Sequence, residues 1–201
     1  FLMIRRPPRS TQSSRRQRQM CIRDRIRGEF VELRAIERSD IPHYTTWFND
    51  PETMAYFGGY EPLALAQEER WYEEQFKNPE VRNYAIYYQG EHVGGAGFSH
   101  LNFRERSAEV GLLIGRKDLW DKGLGGDVLR ALLRQGFEQL NLHRIYLRVF
   151  AENARAVRCY EKVGFRHEGR MREASFRHGR YHDLLLMSVL EDEYRAGRPQ
   201  A

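Results

Sequence analysis

Residues 120–133 read WDKGLGGDVLRALL, three glycines pressed against the first turn of a good amphipathic segment. Each glycine costs a helix roughly 0.5–1 kcal/mol relative to alanine. Two arrangements justify that cost. Bare backbone N–H groups at a helix start, with the helix dipole behind them, form an anion site suited to phosphate. Alternatively, glycines allow a tight strand-to-helix turn to pack closely on a sheet. Two familiar phosphate loops are excluded. A nucleotide P-loop needs Gly-Lys-Ser/Thr, but Gly126 is followed by Asp127 and Val128; a dinucleotide GxGxxG needs glycine where Val128 stands.

The flanking pattern alternates strand and helix. Leu129, Leu132, Leu133, Phe137 and Leu140 recur at helical spacing, which predicts a helix from about Gly126 to Leu140. HRIYLRVF (143–150) alternates as a strand, and a helix begins at Asn153 and stops at Gly164. Two strands around a turn at His178–Gly179 close the chain through 194. Earlier, 29–37 predicts a first strand, Ser39 or Asp40 with Pro42 a helix start, and 61–78 a second helix. A hairpin over 83–101 turns at Gln89–Gly90, and 106–115 is a fourth strand. The order implies an α/β (α+β) sheet with right-handed crossovers.

Composition bounds the rest. The 201 residues are 41% hydrophobic and 12% aromatic, enough for one core, and no apolar run reaches the 18–20 residues of a membrane span. Cys21 and Cys159 form no disulfide framework and fit a reducing, cytoplasmic compartment. The net charge of +5 is misleading: residues 1–25 carry eight arginines and one acid, leaving 25 Lys+Arg against 27 acids in 26–201. The basic balance therefore belongs to the tail. FLMIRRPPRS and MCIRDR in that tail resemble translated sequencing-adapter DNA, so 1–25 is set aside and the native start is expected to be missing. The division is tail 1–25, one domain 26–195 and a short C-terminal tail 196–201.

WDKGLGGDVLRALL, then NLHRIYLRVFAENARAVRCYEKVGF, then GRMREASFRHGRYHDLLLMSVLEDEY together resemble the GNAT acetyltransferase superfamily, in its ribosomal-protein and spermidine N-acetyltransferase branch. The resemblance covers 29–195. Gly123 and Gly125 match the family's Arg/Gln-x-x-Gly-x-Gly/Ala pattern, while Trp120 departs from its first position. It implies a single domain with a mixed, mostly antiparallel sheet of about seven strands flanked by helices, its fourth and fifth strands splayed. It also implies acetyl-CoA as co-substrate and no metal. The backbone of Lys122, Gly123, Leu124, Gly125 and Gly126 would hold the pyrophosphate, with Lys122 adding charge. The pantetheine arm would lie along Leu113, Ile114 and Gly115, and Asn153 would approach the cofactor, besides capping its helix.

Acetyl transfer from a thioester to an amine needs a neutral amine and a protonated leaving thiolate. By the resemblance, Tyr160 gives its proton to the sulfur, and Glu109 acts on the amine directly or through water, or attracts a cationic acceptor. A core role for Tyr160 and an exposed strand position for Glu109 stand beside those readings. Cys159 reads as a buried structural cysteine. His178 and His182 flank a turn glycine and do not make a helical metal pair; His100 is a candidate for the acceptor site. Trp47, Phe48, Tyr56, Phe57, Tyr60 and Trp71, with Glu68, Glu69, Glu73 and Glu74, suit an amine or simply form a solvated helix face. The acceptor stays open between a protein N-terminus, a polyamine, an aminoglycoside and an amino sugar, and a homodimer stays open too. A non-catalytic acyl-CoA-binding regulatory module is the alternative. Nucleic-acid binding rests on the tail alone and is not expected; neither is membrane binding.

Overall fold

A computed structural model describes residues 25–57 and 61–197. Cys21, Tyr60, and residues 1–24 and 198–201 of the two predicted tails lie outside the described residues. Eight strands form one sheet: β1 Arg25–Arg27, β2 Val31–Arg34, β3 Arg82–Tyr88, β4 Glu91–Asn102, β5 Ser107–Ile114, β6 Arg144–Phe150, β7 Arg166–Arg177 and β8 Arg180–Leu190. Their order is β1-β2-β3-β4-β5-β6-β8-β7, and only β5 and β6 run parallel. The helices are α1 Ile41–Phe48, α2 Leu65–Gln75, α3 Leu124–Arg134, α4 Ala154–Val163 and α5 Glu191–Ala196.

The two-residue hairpins are where the sequence locates them. Gln89 and Gly90 (φ 50° and 86°) and His178 and Gly179 (φ 47° and 77°) both adopt positive φ, the turn whose twist matches the flanking strands. Three expectations need correction. The sheet has eight strands, because Arg25–Arg27 adds a three-residue edge strand (Arg25 opposite Arg34) too short to show periodicity. The helix predicted over 126–140 starts at Leu124, ends at Arg134, and passes into a π-helical turn, Gln135–Gln139. The chain closes with a helix, not a strand: Glu191, Asp192 and Glu193 fill the first turn of α5, where carboxylates oppose the dipole.

Two cores sandwich the sheet. Val128, Leu129, Leu132, Leu133 and Phe137 pack with Phe98, Ile145, Leu147 and Met187 on one face, where α4 also lies. On the other, Ile41, Tyr44 and Trp47 of α1 pack on Ala85 and Leu113. Gly115 is needed there, since a Cβ would fall inside the Trp47 indole. No helix among the described residues is long and apolar enough to cross a membrane.

Asp127 locks the glycine-rich helix start to the far edge of the sheet. Its carboxylate, 2% exposed, accepts N–H bonds from Glu29, Phe30 and Val31 at 2.9, 2.7 and 3.0 Å. Asp127→Ala would strand these donors, and an unpaired buried donor costs about 1–3 kcal/mol. Urea unfolding should therefore show about 2–4 kcal/mol lost; a loss below about 1 kcal/mol would mean water replaces the carboxylate.

Candidate active-site cleft

β5 and β6 pair only over Ser107–Glu109 with Arg144–Tyr146, yet both strands run on, to Ile114 and Phe150. A cleft of about 520 Å³ occupies the resulting gap, bounded by the start of α3, by α4 and by residues 52–57. Gly123 (φ 82°) takes the left-handed conformation that lets the chain enter α3. Asp127 N–H bonds the Gly123 carbonyl at 3.2 Å, which leaves the N–H groups of Leu124, Gly125 and Gly126 as first-turn donors the helix does not use.

Gly125 and Gly126 have ordinary helical φ, and neither is required by packing. A Cβ at Gly125 would meet nothing nearer than Cys159 Sγ and Leu112 Cδ1, both at 3.8 Å; at Gly126 the nearest atom would be Arg130 Nη1 at 3.5 Å. The close-packing explanation of these glycines therefore fails, and the space above them lies on the cleft. Arg130, Arg155, Arg158 and Lys162 line it too. Sequence reasoning missed all four, because each looks like a solvated charge on a helix. Lys122, singled out instead, is exposed and outside the lining.

Leu113 and Ile114 line the cleft, but Gly115 does not: its N–H bonds Val93 O at 2.9 Å. The Ile114 carbonyl already accepts the Trp120 indole N–H at 2.8 Å, and the Arg155 guanidinium stacks 4.2 Å from the Trp120 ring. Trp120 thus joins the strand end to α4. Asn153 caps α4, its Oδ1 accepting the Ala156 N–H at 3.1 Å, and its side chain borders the cleft.

Tyr160 and Cys159 both line the cleft from α4. Tyr160 is half-buried, its ring edge-on to Phe165 at 5.8 Å, and among the described residues its hydroxyl has no hydrogen-bond partner. Burial, with a smaller contribution from Cys159, pushes its phenol up to about 12. Burial also pushes the Cys159 thiol up, so it is a neutral, half-buried thiol and not a poised nucleophile.

Glu109 lies outside the cleft lining, behind Arg148, which does line it. Both carboxylate oxygens are taken: Arg148 Nε and Nη2 donate at 2.8 and 2.9 Å, and His100 Nδ1 lies 3.2 Å from Oε2. His100 is exposed at a strand irregularity and likewise does not line the cleft. His182 is buried against Glu152 at 3.1 Å, far in role from a metal pair with His178.

The aromatic and acidic set read as an acceptor site separates. Tyr56 and Phe57 line the cleft, whereas Trp47, Phe48 and Trp71 pack around α1. Glu68 is 6% exposed and buried under α2, with its carboxyl pushed up by desolvation, while Glu69, Glu73 and Glu74 do not reach the cleft. The segment bearing Tyr56 is tied down by Lys117, which donates to Asp50 at 2.9 Å and Glu52 at 2.8 Å. The Thr53 backbone N–H and Lys117 hold the Asp50 carboxyl down at about 2.

The gap between the parallel strands, with a helix N-terminus at its mouth, is suited to an extended ligand that carries phosphate. The acetyltransferase (GNAT) domain model matches residues 31–166, and the chain belongs to that family. The spermidine N(1)-acetyltransferase of Vibrio cholerae serotype O1 is 31% identical over 165 residues, covering 82% of this chain and 95% of that one. That of Escherichia coli K12 is 28% identical over 166 residues, covering 83% and 89%. The crystal structure of the Vibrio cholerae spermidine N-acetyltransferase with CoA and spermine superposes with a TM-score of 0.78 at 31% identity, over 82% of this chain and 98% of that one.

Proposed function

We propose that residues 26–195 form an acetyltransferase domain that moves the acetyl group of acetyl-CoA to a primary amine, the amine attacking the thioester directly. The observation that carries this is that Gly125 and Gly126 line the cleft at a helix start although a Cβ at either would meet its neighbours only at ordinary contact distances, so packing does not require glycine at either place. The relative crystallised with CoA supports the choice of co-substrate, and relatives named for spermidine acetylation support an amine acceptor.

In this reading the free N–H groups of Leu124, Gly125 and Gly126 donate to the pyrophosphate, and Arg130, Arg155, Arg158 and Lys162 neutralise phosphate charge. Leu113 and Ile114 flank the pantetheine arm, and Asn153, its oxygen committed to Ala156, offers its amide N–H. Tyr160 keeps its proton until the C–S bond breaks, gives it to the sulfur, and is reprotonated through solvent as the attacking nitrogen sheds its own proton. Glu109, with both oxygens bonded, positions Arg148 and does not itself take the amine proton.

The test is release of free CoA thiol from acetyl-CoA across a panel of amines. Amine-dependent release is expected. Tight acetyl-CoA binding without release on any amine would establish the non-catalytic binding module instead.

A further inference from the structure

The geometry points to Arg148 as the residue that selects the acceptor, and to an amine carrying a carbonyl or carboxylate oxygen beside it: an amino acid, its amide or a peptide N-terminus, not a polyamine. This rests on the acetyltransferase reading above. Arg148 lines the cleft on the side closed by Tyr56, Phe57 and Phe150. Its Nε and Nη2 bond side-on to Glu109, and among the described residues Nη1 has no hydrogen-bond partner. The bidentate grip fixes the plane of the guanidinium and leaves Nη1 as a fixed pair of donors.

A guanidinium has donors and no acceptor, and a polyammonium chain likewise offers only donors. The two repel and cannot bond. A carbonyl or carboxylate oxygen two atoms from the attacking nitrogen supplies what Nη1 lacks. Four of the five cationic side chains that line the cleft serve the cofactor's phosphates in that reading, so Arg148 is the cation left to the acceptor, and the lining carboxylates are two, Glu52 and Asp121. Glu52 is already held by Lys117 at 2.8 Å, and Asp121 lies 3.9 Å from Arg155. Both carboxylates that line the cleft therefore already have a cationic neighbour in place of the second and third charges of a polyamine. Tyr56 and Phe150, 5.9 Å apart, offer an apolar wall to the side chain of an amino acid.

The test measures kcat/KM by thiol release for alanine, alaninamide, an N-terminally free tripeptide, n-butylamine and spermidine. It compares the wild type with Arg148→Met and with Arg148→Lys, which keeps the charge on Glu109 but loses the planar fork. Wild type should favour one or more carbonyl-bearing amines over both others. Alanine against alaninamide and tripeptide tells carboxylate from carbonyl. Both variants should erase about 10–100-fold of that preference, through KM, as expected for one charge-assisted hydrogen bond. Comparing ratios between proteins cancels the different basicities of the amines. If Arg148→Met does not fold, Arg148→Lys alone is read. Spermidine or n-butylamine as the best wild-type acceptor, or an equal loss on every amine in the variants, would overturn the assignment. Absence of release with every amine would instead defeat the transferase reading, and this one with it.

Discussion

Gly125→Val is expected to abolish acetyl-CoA binding, whereas Gly125→Ala, the other residue the family pattern admits at this position, raises the stability of the protein and keeps binding. The two signs come from separate causes. In the folded protein a Cβ at this position has only ordinary contacts at 3.8 Å, and the backbone is already helical. Alanine therefore adds helix propensity, roughly 0.5–1 kcal/mol, without strain. A single methyl, in contact only with Cys159 Sγ and Leu112 Cδ1, leaves room at the first-turn donors, where a phosphate oxygen must come within about 3 Å of the N–H groups. Valine adds two further methyl groups on the same side. Calorimetric titration gives the affinity and thermal unfolding the stability. Unchanged affinity in a folded Gly125→Val protein would show that the ligand's phosphates lie elsewhere.

The sequence made the α3 entrance legible because its signal is local: glycines, an N-terminus and an amphipathic face lie within fifteen residues. Hairpin turns at Gln89–Gly90 and His178–Gly179 were legible for the same reason. What escaped depends on distant pairing. In the sequence Asp127 only breaks a P-loop pattern, yet its carboxylate accepts from Glu29, Phe30 and Val31, close to a hundred positions earlier. Glu109 reads as a free carboxylate because Arg148 stands 39 positions away. Only the parallel register, Glu109 opposite Tyr146, brings them together. Trp47 and Glu68 sit among acids and aromatics that suit an amine. The sheet face against which α1 packs decides otherwise, and nothing in the spacing of α1 reveals that Gly115 lies beneath the Trp47 indole.

Tyr160→Phe should lower kcat by about 10²–10³-fold while leaving acetyl-CoA affinity and stability nearly unchanged, the range usual for loss of a general acid. Stability should hold because the ring keeps its packing on Phe165 and the lost hydroxyl has no partner among the described residues. A phenol pushed up to about 12 by burial is fully protonated at neutral pH, as a donor must be. Against a free thiol of pKa about 8.5 such a phenol is a weak acid, which would make the transfer uphill. A leaving sulfur bonded to the Tyr160 hydroxyl would share that surrounding, however, and burial raises the neighbouring Cys159 thiol in the same direction. Desolvation thus moves donor and acceptor upward together and keeps the transfer feasible. The raised value also fixes a sign in pH. Tyr160 loses its proton only as pH passes through about 12, so its ionisation produces no falling limb in kcat below about pH 11. A wild-type limb near pH 9 that vanishes in Tyr160→Phe would mean the phenol ionises far lower and serves as a base. Equal kcat in the two proteins would return Tyr160 to packing alone.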